Sequence, residues 1–220
     1  MQYEKQVTEQ DIQRIKDRLA KYQLEILHDD GLYRHLYYSW PSDPYGRNNC
    51  SFHVITAPNT VTIYGDWMNA YTLHREPDML RDFLNVSRVD YNYWAEKLDM
   101  ANKHNSIKSI DEELFMREVE EYLNEYYDDD EGKAENYLEQ IRDIIQFDSA
   151  YAHPITQLLD IKFWETDYSD TNATDIFDYE DTFGEHYTHE WVRVCLALQW
   201  AANTYCAKVS DTTKQAGCLK

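Results

Sequence analysis

Between residues 31 and 75 the chain alternates apolar and polar residues in four short runs, which proline, glycine, asparagine and aspartate separate. A period of two in runs rich in aromatic and β-branched residues is typical of antiparallel strands. We therefore predict a four-stranded antiparallel sheet with strands at 32–40, 50–57, 61–67 and 71–74. Pro58 and Asn59 supply the turn between the second and third strands.

Apolar residues at helical spacing lie on both sides of this predicted sheet. Before it, Thr8 and Asp11 form a capping pair, and the helical pattern continues to Ile26. We expect this first helix to end near Asp29 and to be closed by Gly31 in the left-handed conformation. Further helices are predicted to begin near Pro77, Asp90, Ser109, Gly132 and Pro154. A last helix, at about 185–208, is apolar nearly all round, as in a buried helix.

The predicted fold class is therefore α+β. Residues 1–88 form a helix and the small sheet, and residues 89–210 form a mainly helical lobe packed on them. We expect one compact unit, because no linker is long enough to separate two domains. Residues 165–184 lack periodicity and are predicted to be a long ordered loop, and the tail at 211–220 is predicted to fray.

The balance of charge narrows the possible partners. The chain has 41 acidic and 21 basic residues, which give a net charge of −20. Such a surface repels nucleic acid and anionic lipid, so we expect no direct contact with DNA, RNA or membrane. A basic groove on another protein would attract it. The oligomeric state is left open by the sequence.

Other features of the sequence predict a cytoplasmic location. No apolar run approaches the roughly 20 residues that span a bilayer, and the first ten residues lack the apolar core of a signal peptide. The four cysteines show no metal-binding spacing, so we expect free thiols in a reducing compartment. The sequence indicates no cofactor.

The strongest surface feature is an acidic segment at residues 111–131, in which Arg117 is the only basic residue. Carboxylates spaced along a helix can imitate DNA phosphates and occupy a basic nucleic-acid channel. A solvated helix face is the commoner explanation of such a pattern. The candidate partner-binding residues are Glu118, Glu120, Glu121, Glu125, Asp128, Asp129, Asp130 and Glu131.

Two weaker candidates involve histidine. On the second face of the predicted sheet, a group suited to general acid–base chemistry or to a small ligand such as a nucleotide consists of His35, His53, Tyr64, Asp66 and His74. Cross-strand pairing of histidine with tyrosine explains that group equally well. On the predicted last helix, a weak metal candidate with spacings of three and four consists of His186, His189 and Glu190. No phosphate loop or nucleophile elbow is present, so the sequence favours a protein without enzymatic activity.

Three motifs resemble a widespread family of uncharacterised phage and prophage proteins. They are GLYRHL at 31–36, the Gly65-Asp66 pair that ends a strand, and YWAEKL at 93–98. The similarity continues through 178–180 into the last helix, although Trp67 and Met68 stand where we expect Met-Gly in relatives. The family brings no catalytic residues. It implies an accessory protein of a phage, acting inside a bacterial cell.

Together these observations predict a phage-encoded acidic protein that binds and inhibits a host complex. The expected partner is a host protein with a basic nucleic-acid-binding surface, as for anti-CRISPR or anti-restriction proteins that mimic DNA. That step is an analogy between small acidic phage proteins. The alternative is an enzyme or nucleotide binder that uses the histidine-rich sheet face.

Overall fold

The computed structural model describes residues 5–41, 50–99, 107–128, 130–147, 153–164, 170–178 and 182–217. The chain folds into two compact units. The sheet unit comprises Val7–Ile107 and His189–Lys220, and the helical unit comprises Met1–Gln6 and Lys108–Thr188. The α+β class is confirmed. The division differs from the one expected at residue 88, because residues 89–107 and the last helix belong with the sheet.

The sheet has five antiparallel strands in chain order, one more than predicted. They are β1 (Gln23–Asp30), β2 (Tyr33–Ser39), β3 (Ser51–Ala57), β4 (Thr60–Gly65) and β5 (Met68–His74). Strands β2 to β5 correspond to the four predicted strands. The additional strand, β1, forms an edge of the sheet where the sequence pattern predicts a helix.

The first helix, α1 (Glu9–Leu19), begins at the predicted capping box but ends ten residues before Asp29, its expected end. The helical prediction beyond Leu19 is wrong because the pattern there fits two periodicities. Tyr22 and Ile26 continue the helical spacing, but Tyr22, Leu24 and Ile26 also alternate as in a strand. In the structure these three residues lie on the inner side of the sheet, where cross-strand pairing determines the conformation.

Gly31 has a φ of +62°, in the left-handed region as expected. It lies in the turn of the β1–β2 hairpin rather than at a helix end. A Cβ on this glycine would meet nothing within 4 Å, so only its backbone conformation favours glycine.

Two helical elements pack on the sheet, a π-helical segment (Met79–Leu84) and α6 (His189–Gly217). The short helix α2 (Tyr91–Glu96) packs against α6. Asp90 caps α2 through the Tyr93 N–H, as predicted. The core between sheet and helices is aliphatic and aromatic and includes Leu36, Tyr38, Phe52, Val54, Ile63, Leu73, Met79, Trp94, Trp191 and Leu198, all buried.

One ionic network crosses this core. The side chain of Arg34, on β2, is 2% exposed and donates two hydrogen bonds to the Asp78 carboxylate, at 2.9 and 2.7 Å. Its Nε donates to the Tyr205 hydroxyl at 3.0 Å, and that hydroxyl donates to Asp29 at 2.8 Å. The network therefore connects β1, β2, α6 and the residue before the π-helical segment.

The helical unit contains α3 (Glu112–Tyr126), α4 (Glu131–Ile144) and α5 (Pro154–Leu159). Two short antiparallel pairs accompany them: β6 (Lys108–Ile110) with β9 (Glu185–Tyr187), and β7 (Lys162–Trp164) with β8 (Asp170–Asn172). A single 3₁₀ turn follows β8 at Ala173–Asp175. Parts of the predicted 165–184 loop are thus regular structure, and residues 165–169 and 179–181 lie outside the described part.

Helix α3 begins later than predicted. Ser109, the expected cap, lies in β6, and Asp111 caps the helix by accepting from the Leu114 N–H at 3.0 Å. Burial opposes the charge of Asp111, but hydrogen bonds from the backbone N–H groups of Leu114, Gln6 and Glu113 outweigh it, so its pKa is lowered. The aspartate is therefore held ionised at the positive end of the helix.

The last helix and the cysteines complete the sheet unit. Helix α6 begins at His189 rather than Glu185 and continues to Gly217, so the predicted frayed tail is helical to that residue. Cys50, Cys195 and Cys206 form no disulfide with one another, and Cys218 lies outside the described residues. None of the described helices is long and apolar enough to cross a membrane.

Candidate functional site: an acidic helical hairpin

The net charge of the protein is concentrated in one of its two units. The helical unit has 25 acidic and 6 basic residues, a net charge of −19, whereas the sheet unit has 16 and 15, a net charge of −1. The helical unit has 87 residues and the sheet unit 133, so the smaller unit carries nearly all of the net charge. Electrostatic attraction of a cationic partner would therefore act on the helical unit.

An acidic stripe follows the outer side of α3. Glu113, Glu121 and Glu125 of α3, and Asp128 just beyond its end, are exposed on the side away from the buried residues of the helix. Glu121, Glu125 and Asp128 follow one another at about one turn, and Glu113 lies about two turns before Glu121. Counter-charge comes from more than the Arg117 expected from sequence. Arg117 pairs with Glu121 at 4.0 Å, and Lys5 pairs with Glu113 at 3.4 Å. The stripe keeps an excess of carboxylates.

Not every predicted partner-binding residue belongs to this stripe. Glu118 is half-buried and accepts from the Gly184 N–H at 2.6 Å, so it holds the chain before β9. Asp130 caps α4 by accepting from the Lys133 N–H at 3.1 Å. These two carboxylates have structural contacts. Asp129 and the side chain of Glu131 lie outside the described part of the chain.

Helices α3 and α4 form a hairpin with a groove between them. The groove has a volume of about 530 Å³ and is lined by Glu120, Leu123, Asn124, Asp128, Ala134, Glu135, Leu138 and Arg142. Leu123, Ala134 and Leu138 lie at its floor, and each is at most 5% exposed, so the apolar area open to a ligand is small. Three carboxylates and one guanidinium surround that floor. The groove is therefore an acidic cleft, of a volume typical of ligand sites.

The residues predicted from the sequence form one wall of this groove but not the other. Glu120 and Asp128 are in the predicted set, whereas Glu135, Leu138 and Arg142 are not. The sequence does contain a signal for the second wall, since Glu135 and Arg142 lie one heptad apart on an amphipathic helix. The turn before that helix is so short that the helix has to pack antiparallel to the preceding one. The predicted acidic segment ended at the turn, before the second wall begins.

On the sheet unit, three of the five predicted site residues meet on the open face. The rings of His35 and His53 are joined by a 2.9 Å contact between Nε2 and Nδ1, in which one nitrogen donates to the other. His53 also stacks on Tyr64, with ring centroids 4.9 Å apart, and lies 4.8 Å from the Tyr37 ring. The cluster is a cross-strand ladder of rings over β2, β3 and β4.

The other two residues of that group have different partners. Asp66 accepts hydrogen bonds from the backbone N–H and the hydroxyl of Ser51, both at 2.8 Å. His74, on β5, contacts the Thr60 hydroxyl at 3.1 Å and lies 3.6 Å from Asp99. Within the described residues, no carboxylate is in hydrogen-bond contact with the His35–His53 pair.

The packing of the His35–His53 cluster can be tested by a pH titration of His53. Burial, with the neighbouring charge of His35, lowers the pKa of His53 below the ordinary 6.5. As the pH falls, His53 is therefore protonated in the unfolded chain before it is protonated in the folded one. The contribution of neutral His53 to the free energy of unfolding is lost as the pH falls from 6.5 through the lowered pKa. In an NMR titration the His53 ring should show a midpoint below 6.5. His35→Phe should raise that midpoint only in part, because burial remains. A midpoint at or above 6.5 in the native protein would contradict this packing.

The predicted metal site is not formed as expected. His186 lies in β9, a strand of the helical unit, whereas His189 and Glu190 begin α6 in the sheet unit. The three residues therefore do not share one helix face. Glu190 accepts from the backbone and side chain of Asn69, at 2.7 and 3.3 Å. Among the described residues, no three His, Cys, Asp or Glu side chains are grouped so that they could hold a metal ion.

No protein-family model, curated protein or solved structure matches this chain. The resemblance to phage and prophage proteins therefore stays a prediction. Any function has to be argued from the charge, the groove and the sheet face themselves.

Proposed function

We propose that this protein binds a cationic, nucleic-acid-binding surface of another protein and blocks it. The observation that carries the proposal is the separation of charge, −19 on the helical unit against −1 on the sheet unit. Carboxylates of the α3 stripe would occupy the positions at which the partner holds phosphates. The same charge would keep the protein itself away from nucleic acid.

The setting of this activity follows from the resemblance alone. In that setting the protein is encoded by a phage and inhibits a host defence or nucleic-acid-handling complex in the bacterial cytoplasm, as anti-CRISPR or anti-restriction proteins do. The physical proposal, an acidic protein for a basic surface, does not depend on it.

The His35–His53 cluster supports the second candidate function, a small-ligand or nucleotide binder, less well. Its rings offer stacking surface, but Arg34 is the only Lys or Arg in the five strands, and it is buried on the other face. A phosphate on the open face would find no permanent cation in these strands. Alanine at both histidines should therefore leave the binding activity of the protein unchanged.

The proposal can be tested by affinity capture. The immobilised protein is incubated with nuclease-treated bacterial lysate, and bound proteins are eluted with increasing salt. We expect nucleic-acid-binding proteins to be captured without nucleic acid and to be released steeply as salt screens the contact, since the Debye length falls from about 10 Å at 0.1 M to about 3 Å at 1 M. Each captured protein is then assayed for loss of nucleic-acid binding. Capture that survives high salt, or that leaves this binding intact, would contradict the proposal.

A further inference from the structure

The two ends of the α3–α4 groove differ in charge. At the end remote from the turn, Arg142 of α4 reaches across to Glu120 of α3, with Nη2 and Oε2 3.4 Å apart. At the turn end, the groove is lined by two carboxylates, Asp128 in the turn after α3 and Glu135 of α4. One end thus has a guanidinium between the helices, and the other has only acids.

No cation of the described chain neutralises the turn end. Within the described residues, neither Asp128 nor Glu135 takes part in an ion pair, and both are exposed. Lys133, the nearest basic residue in sequence, packs over the rings of Tyr127 and Tyr137, 5.2 and 5.5 Å from their centroids. It lies about half a turn around α4 from the groove residues. The two carboxylates at this end can therefore pair with a cationic group of another molecule.

The floor of the groove suits the stem of a long cationic side chain. Leu123, Ala134 and Leu138 lie at the base of the groove with most of their surface buried in the core of the unit, so they leave a small apolar area beneath the carboxylates. Arginine and lysine place their methylene groups on apolar surface and their charged ends at a polar rim. A purely apolar ligand would leave the carboxylates desolvated without a partner, at a cost in affinity.

We propose that the turn end of this groove binds an arginine side chain of a partner protein, whose guanidinium joins Asp128 to Glu135 across the groove. Arg142 and Glu120 make the same kind of connection within the chain, one heptad away. Arginine is favoured over lysine because its planar fork of five N–H groups can donate to carboxylates on both sides of the groove, whereas an ammonium is a single compact charge. This inference rests on the proposed function and names the group that the acidic unit recognises.

Two peptides and two variants test it. The peptides are capped, equal in length and alternate alanine with arginine or with lysine. D128N/E135Q removes the groove carboxylates, and E139Q/D143N removes two exposed carboxylates elsewhere on α4, with the same change in net charge. Titration calorimetry at low salt should show the arginine peptide binding about tenfold more weakly to D128N/E135Q and less than about twofold more weakly to E139Q/D143N. The native protein should bind the lysine peptide more weakly than the arginine peptide.

The outcomes separate this inference from the proposed function. Equal losses in the two variants, or equal binding of the two peptides by the native protein, would overturn the arginine site and leave a general acidic surface standing. A native protein that binds neither peptide would contradict both. Circular dichroism of the variants checks that each retains the native fold.

Discussion

Replacing Asp78 with alanine is expected to lower the free energy of unfolding by about 3 kcal/mol, since it leaves a buried guanidinium without its carboxylate. The Arg34 side chain is 2% exposed and loses two charge-assisted hydrogen bonds in this variant. Asp29, 3.5 Å away, and the Tyr205 hydroxyl remain and compensate in part. Urea denaturation followed by circular dichroism measures the change.

A double variant is the control for this prediction. R34M/D78A removes both charges, so it should recover part of the stability lost in D78A despite carrying one more substitution.

Burial opposes the ionisation of Asp78, but Arg34 and the Arg81 N–H lower its pKa on balance. Its contribution is therefore complete above the unfolded pKa of about 3.9 and is lost as the pH falls through the lower folded value. D78A should lose that part of the acid dependence. A loss below about 1 kcal/mol in D78A would contradict the network.

Gly184→Ala should destabilise the helical unit by at least about 3 kcal/mol, from left-handed backbone strain and overpacking together. Gly184 has a φ of +70°, and an added Cβ would lie 2.6 Å from the Phe115 Cβ and 2.9 Å from the Asp111 carbonyl oxygen. Its N–H and carbonyl also bond Glu118 and the Asp111 N–H, so a displaced residue 184 loosens α3.

Gly31→Ala is the matched control, because Gly31 also has a positive φ, +62°, but has open space around its Cβ direction. It should cost only the backbone strain, about 1 kcal/mol. Equal costs for the two substitutions in urea denaturation would contradict the close approach of Gly184 to α3.

The sequence predicts those elements in which one periodicity stands alone. Strands β2 to β5 alternate apolar and polar residues without a competing helical pattern. Asp90 is predicted correctly as a cap because a single helical pattern, that of α2, follows it. Strand β1 is missed because Leu19, Tyr22 and Ile26 satisfy helical spacing, and only pairing with β2, a contact between segments, decides against it. Ser109 fails as a cap for a similar reason, since β6 pairs with a strand some 75 residues away.

The candidate site shows the same limit. The acidity of residues 111–131 can be predicted from the sequence, because it depends on residue type alone. The sequence does not show which carboxylates are used inside the fold. Glu118 and Asp130 accept hydrogen bonds from the backbone N–H groups of Gly184 and Lys133. The groove needs the packing of two helices. The ring contact of His35 with His53 depends on the register of β2 and β3.

We expect the charge of the helical unit, rather than the total charge of the protein, to determine the binding of a cationic partner. Two variants test this expectation, and each exchanges four exposed carboxylates for amides. The helical-unit variant changes Glu121, Glu125, Asp128 and Glu135. The sheet-unit variant changes Glu9, Glu25, Asp30 and Glu96.

The measurement is the displacement of a short fluorescent DNA duplex from an arginine-rich DNA-binding peptide, followed by anisotropy at low salt. The native protein and the sheet-unit variant should displace the duplex at similar concentrations, and the helical-unit variant should need about tenfold more, which corresponds to about 1.4 kcal/mol. Equal losses in the two variants, or a duplex that stays bound in the presence of the native protein, would contradict the claim.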